Sequence, residues 1–260
     1  MIRLTYMLRR KPEMTRAEFQ KYWRENHGPL VAGHAHSLNM LRYVQVHTLL
    51  DAVRVTGGPR GMMEEPYDGV AEVWWRTRDD MASARNSANG QAASKELVED
   101  EAKFIDLPNS PMWFAYEYPQ INPSPENLVA TEMSSLVKTH YPLRHLKHLS
   151  LEEAQLYWRT NHGPLIRGGP GATGRIKRYI QVHRYEDEFE AVLREARGTV
   201  VEPYTGHAEL WGDRTYRSPE IAIPESIRGG EMAVEDEAKF IDFSRSVSFA
   251  AKERVFVDYR

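Results

Sequence analysis

The sequence predicts an α+β fold built from two copies of one β-α-β-β-α-β unit. Three observations carry that prediction. Tyr22-Trp23-Arg24-Glu25-Asn26-His27-Gly28-Pro29-Leu30 returns as Tyr157-Trp158-Arg159-Thr160-Asn161-His162-Gly163-Pro164-Leu165, with only Glu25 and Thr160 differing. Residues 98–106 return unchanged as 234–242. Around these repeats each half shows four short runs of strand-like alternation and two stretches of helical spacing. The 260 residues divide into a first copy at 1–118, a linker at 119–130 and a second copy at 131–260.

In the first copy, residues 2–8 alternate, with Ile2, Leu4, Tyr6 and Leu8 on one face. Thr15 and Glu18 form a capping box, each side chain satisfying a free backbone N–H. The helix that follows carries Phe19, Tyr22 and Trp23 at i, i+3, i+4, and Gly28-Pro29 is expected to stop it. Residues 41–50 and 69–75 read as the second and third strands, separated by a long loop with Gly57-Gly58-Pro59 and Pro66. A weakly patterned helical region covers 79–103, and 113–118 is the fourth strand. The second copy repeats this order. Its first strand is 136–143, its capping box is Ser150 with Glu153, and its fourth strand lies within 247–253. Residues 254–260 are left as a short extra segment.

The net charge of −3 leaves no basic footprint for nucleic acid or an anionic membrane. The absence of Cys removes disulfides, thiolate nucleophiles and Cys-based zinc sites, and fits a reducing cytoplasm. The first residues lack the apolar core of a signal peptide, and no run is long enough to span a bilayer. The expectation is a cytoplasmic protein without membrane or nucleic-acid partners. No Gly-rich phosphate loop, GxSxG elbow or HExxH occurs, and Gly168-Gly169-Pro170-Gly171 reads as a loop, so no cofactor is expected.

Several residues could carry chemistry. His27 and His162 follow the aromatic helix and read either as general bases or as caps on free helix carbonyls. Tyr43, Gln45 and His47, with Tyr179, Gln181 and His183, share one strand face in each copy. They suit an oxygenated aromatic ligand, or a satisfied network between the sheets. Glu72 and Glu209 sit mid-strand among apolar neighbours. Each either pairs with Arg3/Lys138 or Arg42/Arg178, or has a raised pKa for acid–base work. The copies differ where His140 replaces Thr5 and His207 replaces Val70. With strand order 4-1-3-2 the first and third strands are neighbours, so either His140, His207 and Glu209 cluster or the two His point to opposite faces. The trio reads as a proton-transfer site, a two-His one-carboxylate metal site, or drift after duplication. Trp74, Trp75, Trp113 and Trp211 suit the core or an aromatic pocket. The acidic run at 99–101 and its twin read as a solvated helix face. His34, His36, His145 and His148 lie in connecting segments; His34 and His36, two apart in a Gly-flanked loop, read as solvated, with a lid or weak metal contact as the alternative.

Asn-His-Gly-Pro-Leu after an aromatic helix, Arg-Tyr-x-Gln-x-His on the second strand and Asp-Glu-x-x-Phe-Ile-Asp before the last strand resemble the EthD family of the dimeric α/β-barrel superfamily. The resemblance covers nearly all of both halves. It implies two tandem ferredoxin-like domains forming a pseudo-dimeric α/β barrel, a single chain standing in for the family's usual dimer. Further homo-oligomerisation is left open. It also implies a cofactor-independent lyase or cyclase acting on an aromatic or polyketide-like small molecule, by dehydration, cyclisation or C–C cleavage. On that reading His140, His207, Glu209, His162 and His27 transfer protons. Tyr179, Gln181, His183, Tyr43, Gln45, His47, Glu72 and Trp211 bind substrate, and none is assigned to metal. The alternatives are a non-catalytic binding or accessory protein of an oxygenase pathway and a metal-dependent oxygenase.

Overall fold

Strand β1 (Ile2–Leu8) is buried on both faces. It therefore needs cover on two sides, and the architecture supplies helices on one and a barrel interior on the other. The computed structural model describes residues 1–122, 128–169, 176–213 and 224–260. After β1 come α1 (Arg16–Tyr22), a wider turn of helix (Trp23–His27), α2 (Gly28–Gly33), β2 (Arg42–Thr48) and β3 (Gly69–Trp75). Then follow α3 (Arg78–Asn86), α4 (Ala88–Glu101) and β4 (Met112–Ile121). The second half gives β5 (Leu136–Leu143), α5 (Leu151–Tyr157), the same wider turn (Trp158–His162), α6 (Gly163–Gly168) and β6 (Arg178–Tyr185). It ends with α7 (Glu188–Arg197), β7 (Gly206–Asp213), α8 (Pro224–Glu237) and β8 (Phe249–Asp258). Part of the expected linker and of the Gly168–Gly171 loop lies outside the described residues.

The eight strands close into one antiparallel barrel in the order β1-β3-β2-β8-β5-β7-β6-β4. The halves are hydrogen-bonded to each other along two seams. At one, Arg42 to Thr48 of β2 run beside Asp258 to Ala251 of β8. At the other, Phe114 to Ile121 of β4 run beside Tyr185 to Tyr179 of β6. The seams correct two expectations. Residues 254–258 are strand rather than an appended tail, and β4 extends past 118, because both ten-residue strands are needed to reach the other half.

The helical stop at Gly28-Pro29 is also corrected. The capping boxes at Thr15 and Ser150 form as expected, but the helix does not end at proline. The Gly28 N–H donates to Trp23 O five residues back, and α2 continues with Pro29 in its first turn. The wider turn removes the demand for the N–H that proline lacks. Gln45 Nε2 donates to the same Trp23 oxygen at 2.8 Å. A Cβ on Gly28 would lie 2.9 Å from that nitrogen and overlap the Phe256 ring.

Each half also reaches into the other. Met63, from the connection between β2 and β3, packs in the second half's core, and Leu193 of α7 packs in the first half's core. Helix α7 has no counterpart in the first half and was not foreseen.

Gly206 starts β7 at φ +154, and a Cβ there would overlap the Val182 carbonyl oxygen. Gly206→Ala is expected to destabilise the protein by ~2 kcal/mol or more, read as the shift in a urea unfolding midpoint. Gly230→Ala, in open space, should change that midpoint little.

Candidate functional site: a cavity between sheet and helices

The Tyr-Gln-His triplets sit on the helix side of the sheet, not between the sheets. His183 stacks on Trp158 with ring centroids 4.5 Å apart, and its Nε2 lies 3.2 Å from Gln181 Oε1. Gln181 Nε2 donates to Trp158 O at 3.0 Å and to Tyr179 Oη at 3.1 Å. Trp158 Nε1 also donates to Tyr179 Oη, at 3.1 Å. Tyr43, Gln45, His47 and Trp23 repeat this network in the first half. The network fixes the wider helical turn against the sheet. Burial lowers the pKa of both His47 and His183 to about 3. Two donors already point at Tyr179 Oη, so its own proton is available to a further acceptor.

The wider turn presents His162 to the inside, where Asp236 of α8 receives it. His162 Nδ1 lies 2.9 Å from Asp236 Oδ2, and His27 Nδ1 lies 2.8 Å from Asp100 Oδ2. The carboxylate assigns the proton to Nδ1 and leaves Nε2 unprotonated in the neutral ring. Burial opposes the Asp236 charge, but hydrogen bonds from Tyr157, His162 and Lys239 outweigh it and keep its pKa below the usual range. Asp100 is lowered chiefly by its hydrogen bond to His27. Neither His caps carbonyls.

The neighbouring carboxylates are not solvated either. Asp100, Glu101, Asp236 and Glu237 are all buried, so of the expected exposed face only Glu99 and Glu235 are exposed. Arg60, from the first half, holds Glu237 at 2.7 Å through both Nε and Nη2. Arg197, from the second half, holds Glu101 at 2.6 and 2.8 Å. These cross-half pairs escaped the sequence reading. The available signal was that Arg60-Gly61 and Arg197-Gly198 both stand five residues ahead of Glu-Pro-Tyr, facing an acidic motif repeated without change.

The two halves differ most in the space beside these groups. In the second, a cavity of 410 Å³ is lined by Tyr141, Trp158, His162, Tyr179, Glu237 and Arg60. Its first-half counterpart measures 90 Å³. Leu4, Leu97 and Met112 on the small cavity's wall correspond to Thr139, Ala233 and Ser248 on the large one. Leu193 and Arg197 of α7 fill the small one further. The larger volume is in the range of small-molecule sites, and the smaller is well below it.

His140, His207, Glu209 and Glu72 do converge, but inside the barrel. They line neither sheet–helix cavity. His207 Nε2 is 3.0 Å from Glu209 Oε1, and the rings of His140 and His207 stack at 5.1 Å. His140 Nε2 stands 3.2 Å from Glu72 Oε1 without hydrogen-bond geometry. One ligand atom from each of the four lies within 4.8 Å of the others, the size of a metal cage. Two protein cations already hold one oxygen of each carboxylate. Lys138 Nζ is 2.6 Å from Glu72 Oε1 and 3.1 Å from Glu209 Oε1. Arg3 Nη2 is 2.8 Å from Glu72 Oε1 and also pairs with Glu209. Glu72 Oε2 is left buried without a hydrogen-bond partner. Burial raises the Glu72 pKa. Burial also opposes the Glu209 charge, but Arg3, Lys138 and His207 overcome it and hold that carboxyl well below its usual value. Burial depresses His140 strongly and His207 to about 3. Trp211 and Trp74 face the same interior, their indole N–H groups donating to Glu253 and Glu117.

A closed antiparallel barrel with helices outside and a ligand-sized cavity between the two layers defines a class of small dimeric-barrel folds. The model of the EthD domain matches residues 11–108 and 146–244, and the chain belongs to the EthD family, with the domain present twice in tandem. The fold is similar to that of an anthrone oxidase-like protein, at TM-score 0.56 and 10% identity, covering 100% of this chain and 94% of that one. It is also similar to a dye-decolorizing peroxidase from Bacteroides thetaiotaomicron, at TM-score 0.52 and 9% identity, covering 96% and 92%. At those identities the likeness is one of fold. No curated protein matches this chain.

The buried histidines set a pH dependence. His47, His140, His183 and His207 have folded pKa values depressed below the unfolded value of about 6.5. Between about pH 6.5 and 3 the unfolded chain therefore binds more protons, and stability falls as pH falls through that window. Each contributes up to ~1.4 kcal/mol per pH unit. The double variant His140→Thr with His207→Val, which installs the first-half residues, should make the decline from pH 6 to pH 5 shallower. Urea unfolding midpoints across that range check this; an unchanged slope would contradict it.

Proposed function

We propose that residues 1–118 and 131–260 are two ferredoxin-like repeats acting as a fused pseudo-dimer, and that the second-half cavity is a cofactor-independent acid–base site. The observation that carries this reading is His162: its Nδ1 is engaged by Asp236, and it lines a 410 Å³ cavity, while its twin His27 lines one of 90 Å³. Proton transfer is thereby assigned to His162 rather than to His140, His207 and Glu209, which stand inside the barrel.

The chemistry follows from the groups present. His162 Nε2 takes a proton from an acidic carbon beside a carbonyl, and Asp236 stabilises the imidazolium that results. The electron pair moves to the carbonyl oxygen, which Tyr179 meets with its available O–H. The enolate then expels a leaving group, closes a ring or is reprotonated, which are lyase and cyclase outcomes. Trp158, Tyr141, Leu165 and Ile166 give the cavity the apolar and aromatic wall that an aromatic or polyketide-like ligand would need. The absence of Cys is in keeping with action in the cytoplasm.

The test is exchange of acidic C–H for deuterium in a panel of aromatic ketones, followed by NMR in D2O. His162→Gln is expected to lower the exchange rate at least ~100-fold, and His27→Gln to leave it unchanged. Ala233→Leu with Ser248→Met, residues that already pack at the matching places in the first half, should abolish exchange while keeping the unfolding midpoint. Exchange that survives His162→Gln would sink the assignment. Ligand that binds in the second cavity without exchanging would instead mark a binding or accessory protein.

A further inference from the structure

Arg60 and Arg197 occupy matching places but are not equally satisfied. Each precedes a glycine of positive φ, Gly61 at +65 and Gly198 at +61, and a backbone hydrogen bond turns the chain there. Gly61 N donates to Gly58 O at 3.1 Å, and Gly198 N to Glu195 O at 3.0 Å. Each arginine then crosses to the other half and grips the glutamate beside the His-binding aspartate. Arg197 spends its remaining nitrogen, Nη1, on the Leu193 carbonyl of its own helix at 3.3 Å. Arg60 sits in a loop: Nε and Nη2 donate to Glu237, the guanidinium also meets the Tyr141 side chain, and among the described residues no backbone carbonyl accepts from Nη1. The Arg60 guanidinium lies 5.4 Å from the Tyr141 ring and is about a third exposed, against a tenth for Arg197. A guanidinium carries five N–H donors, so with Glu237 and Tyr141 met Arg60 still has N–H to give on the wall of the large cavity, contributed by the half of the chain that does not otherwise build it.

Building on the acid–base reading above, we infer that Arg60 is a substrate-recognition residue for a second ligand oxygen, a phenolic or enolic hydroxyl on an aromatic molecule. Glu237 already neutralises most of the Arg60 charge, so the site is matched less to a full carboxylate than to a hydroxyl oxygen that accepts a hydrogen bond and sheds its proton easily. The ligand then touches the cavity at two polar points: a carbonyl at Tyr179 beside His162, and a hydroxyl at Arg60. Aromatic walls lie between them. The first half alone would lack the large cavity, and the second alone would lack this contact.

The experiment compares two probes of one size, 2-naphthol and 2-methylnaphthalene, by quenching of intrinsic tryptophan fluorescence in the full-length protein. The wild type should bind the naphthol at least ~10-fold more tightly. Arg60→Met should erase that preference while leaving 2-methylnaphthalene affinity unchanged. Arg60→Lys, which keeps the charge but not the fork, should retain part of it. A merely structural arginine would instead lower the unfolding midpoint and weaken both probes equally, which would overturn the inference, as would an undiminished preference in Arg60→Met. If Ala233→Leu with Ser248→Met leaves both probes bound as before, the second cavity is not the site. That outcome overturns the inference together with the reading on which it rests. Binding that depends on the cavity but not on Arg60 overturns the inference alone.

Discussion

Four charged side chains in the middle of the barrel set the terms for everything around them. Arg3 and Glu72 come from the first half, Lys138 and Glu209 from the second, and each carboxylate touches both cations. Removing charges from water is costly, and the cost is recovered only where every partner is in place. Neither half carries a balanced set in the right geometry by itself, because each anion leans on a cation from across the barrel. The seams β2–β8 and β4–β6 close the backbone. The charge cluster specifies which two sheets may be closed together. Around it, cation–π contacts from Arg3 and Arg42 to Trp74, and from Lys138 and Arg178 to Trp211, repeat the arrangement on both sides.

Much of this fold was legible because duplication repeats the informative residues. Strand alternation and the two capping boxes mark elements that the structure keeps nearly unchanged. Misreadings arose where one residue type has two physical uses. Gly28-Pro29 signals a helix stop when the chain must satisfy a regular ladder. Here the hydrogen bonds skip to five residues, and proline opens the next turn. The Tyr-Gln-His face reads from sequence either as a ligand wall or as a network between the sheets, because period two alone does not say which face of a sheet meets helices. The acidic run resembled a solvated stripe because the cations that neutralise it, Arg60 and Arg197, lie far away in sequence and on the opposite half. A salt bridge between residues 177 positions apart leaves no local pattern.

The His140 and His207 substitutions are an instructive case. They mark the sharpest divergence between the copies, and they do come together with Glu209. Their surroundings are what the sequence could not supply. His140 stacks on Phe249 and His207 meets the edge of Trp113. Phe249 itself replaces the first-half Trp113, so two imidazoles occupy room that a smaller aromatic vacated. The divergence that sets cavity volume is quieter, lying in ordinary exchanges such as Leu97 for Ala233 and Met112 for Ser248. Those changes alter volume rather than charge and do not stand out in a sequence.

Two copies within one chain are free to build different cavities. In a dimer of identical chains, any residue that opens one cavity opens both, and any connection that crosses over does so twice. In this chain the β2–β3 connection crosses as a glycine-containing loop and the β6–β7 connection as helix α7. The helix carries Leu193 into the first cavity and satisfies its own arginine. The loop leaves the second cavity open and its arginine partly exposed. Both His–Asp pairs and both Tyr-Gln-His networks persist, because they hold the wider helical turns against the sheet whether or not a ligand lies beside them. The retained symmetry is therefore explained by folding, and the broken symmetry lies in the volume of the two cavities.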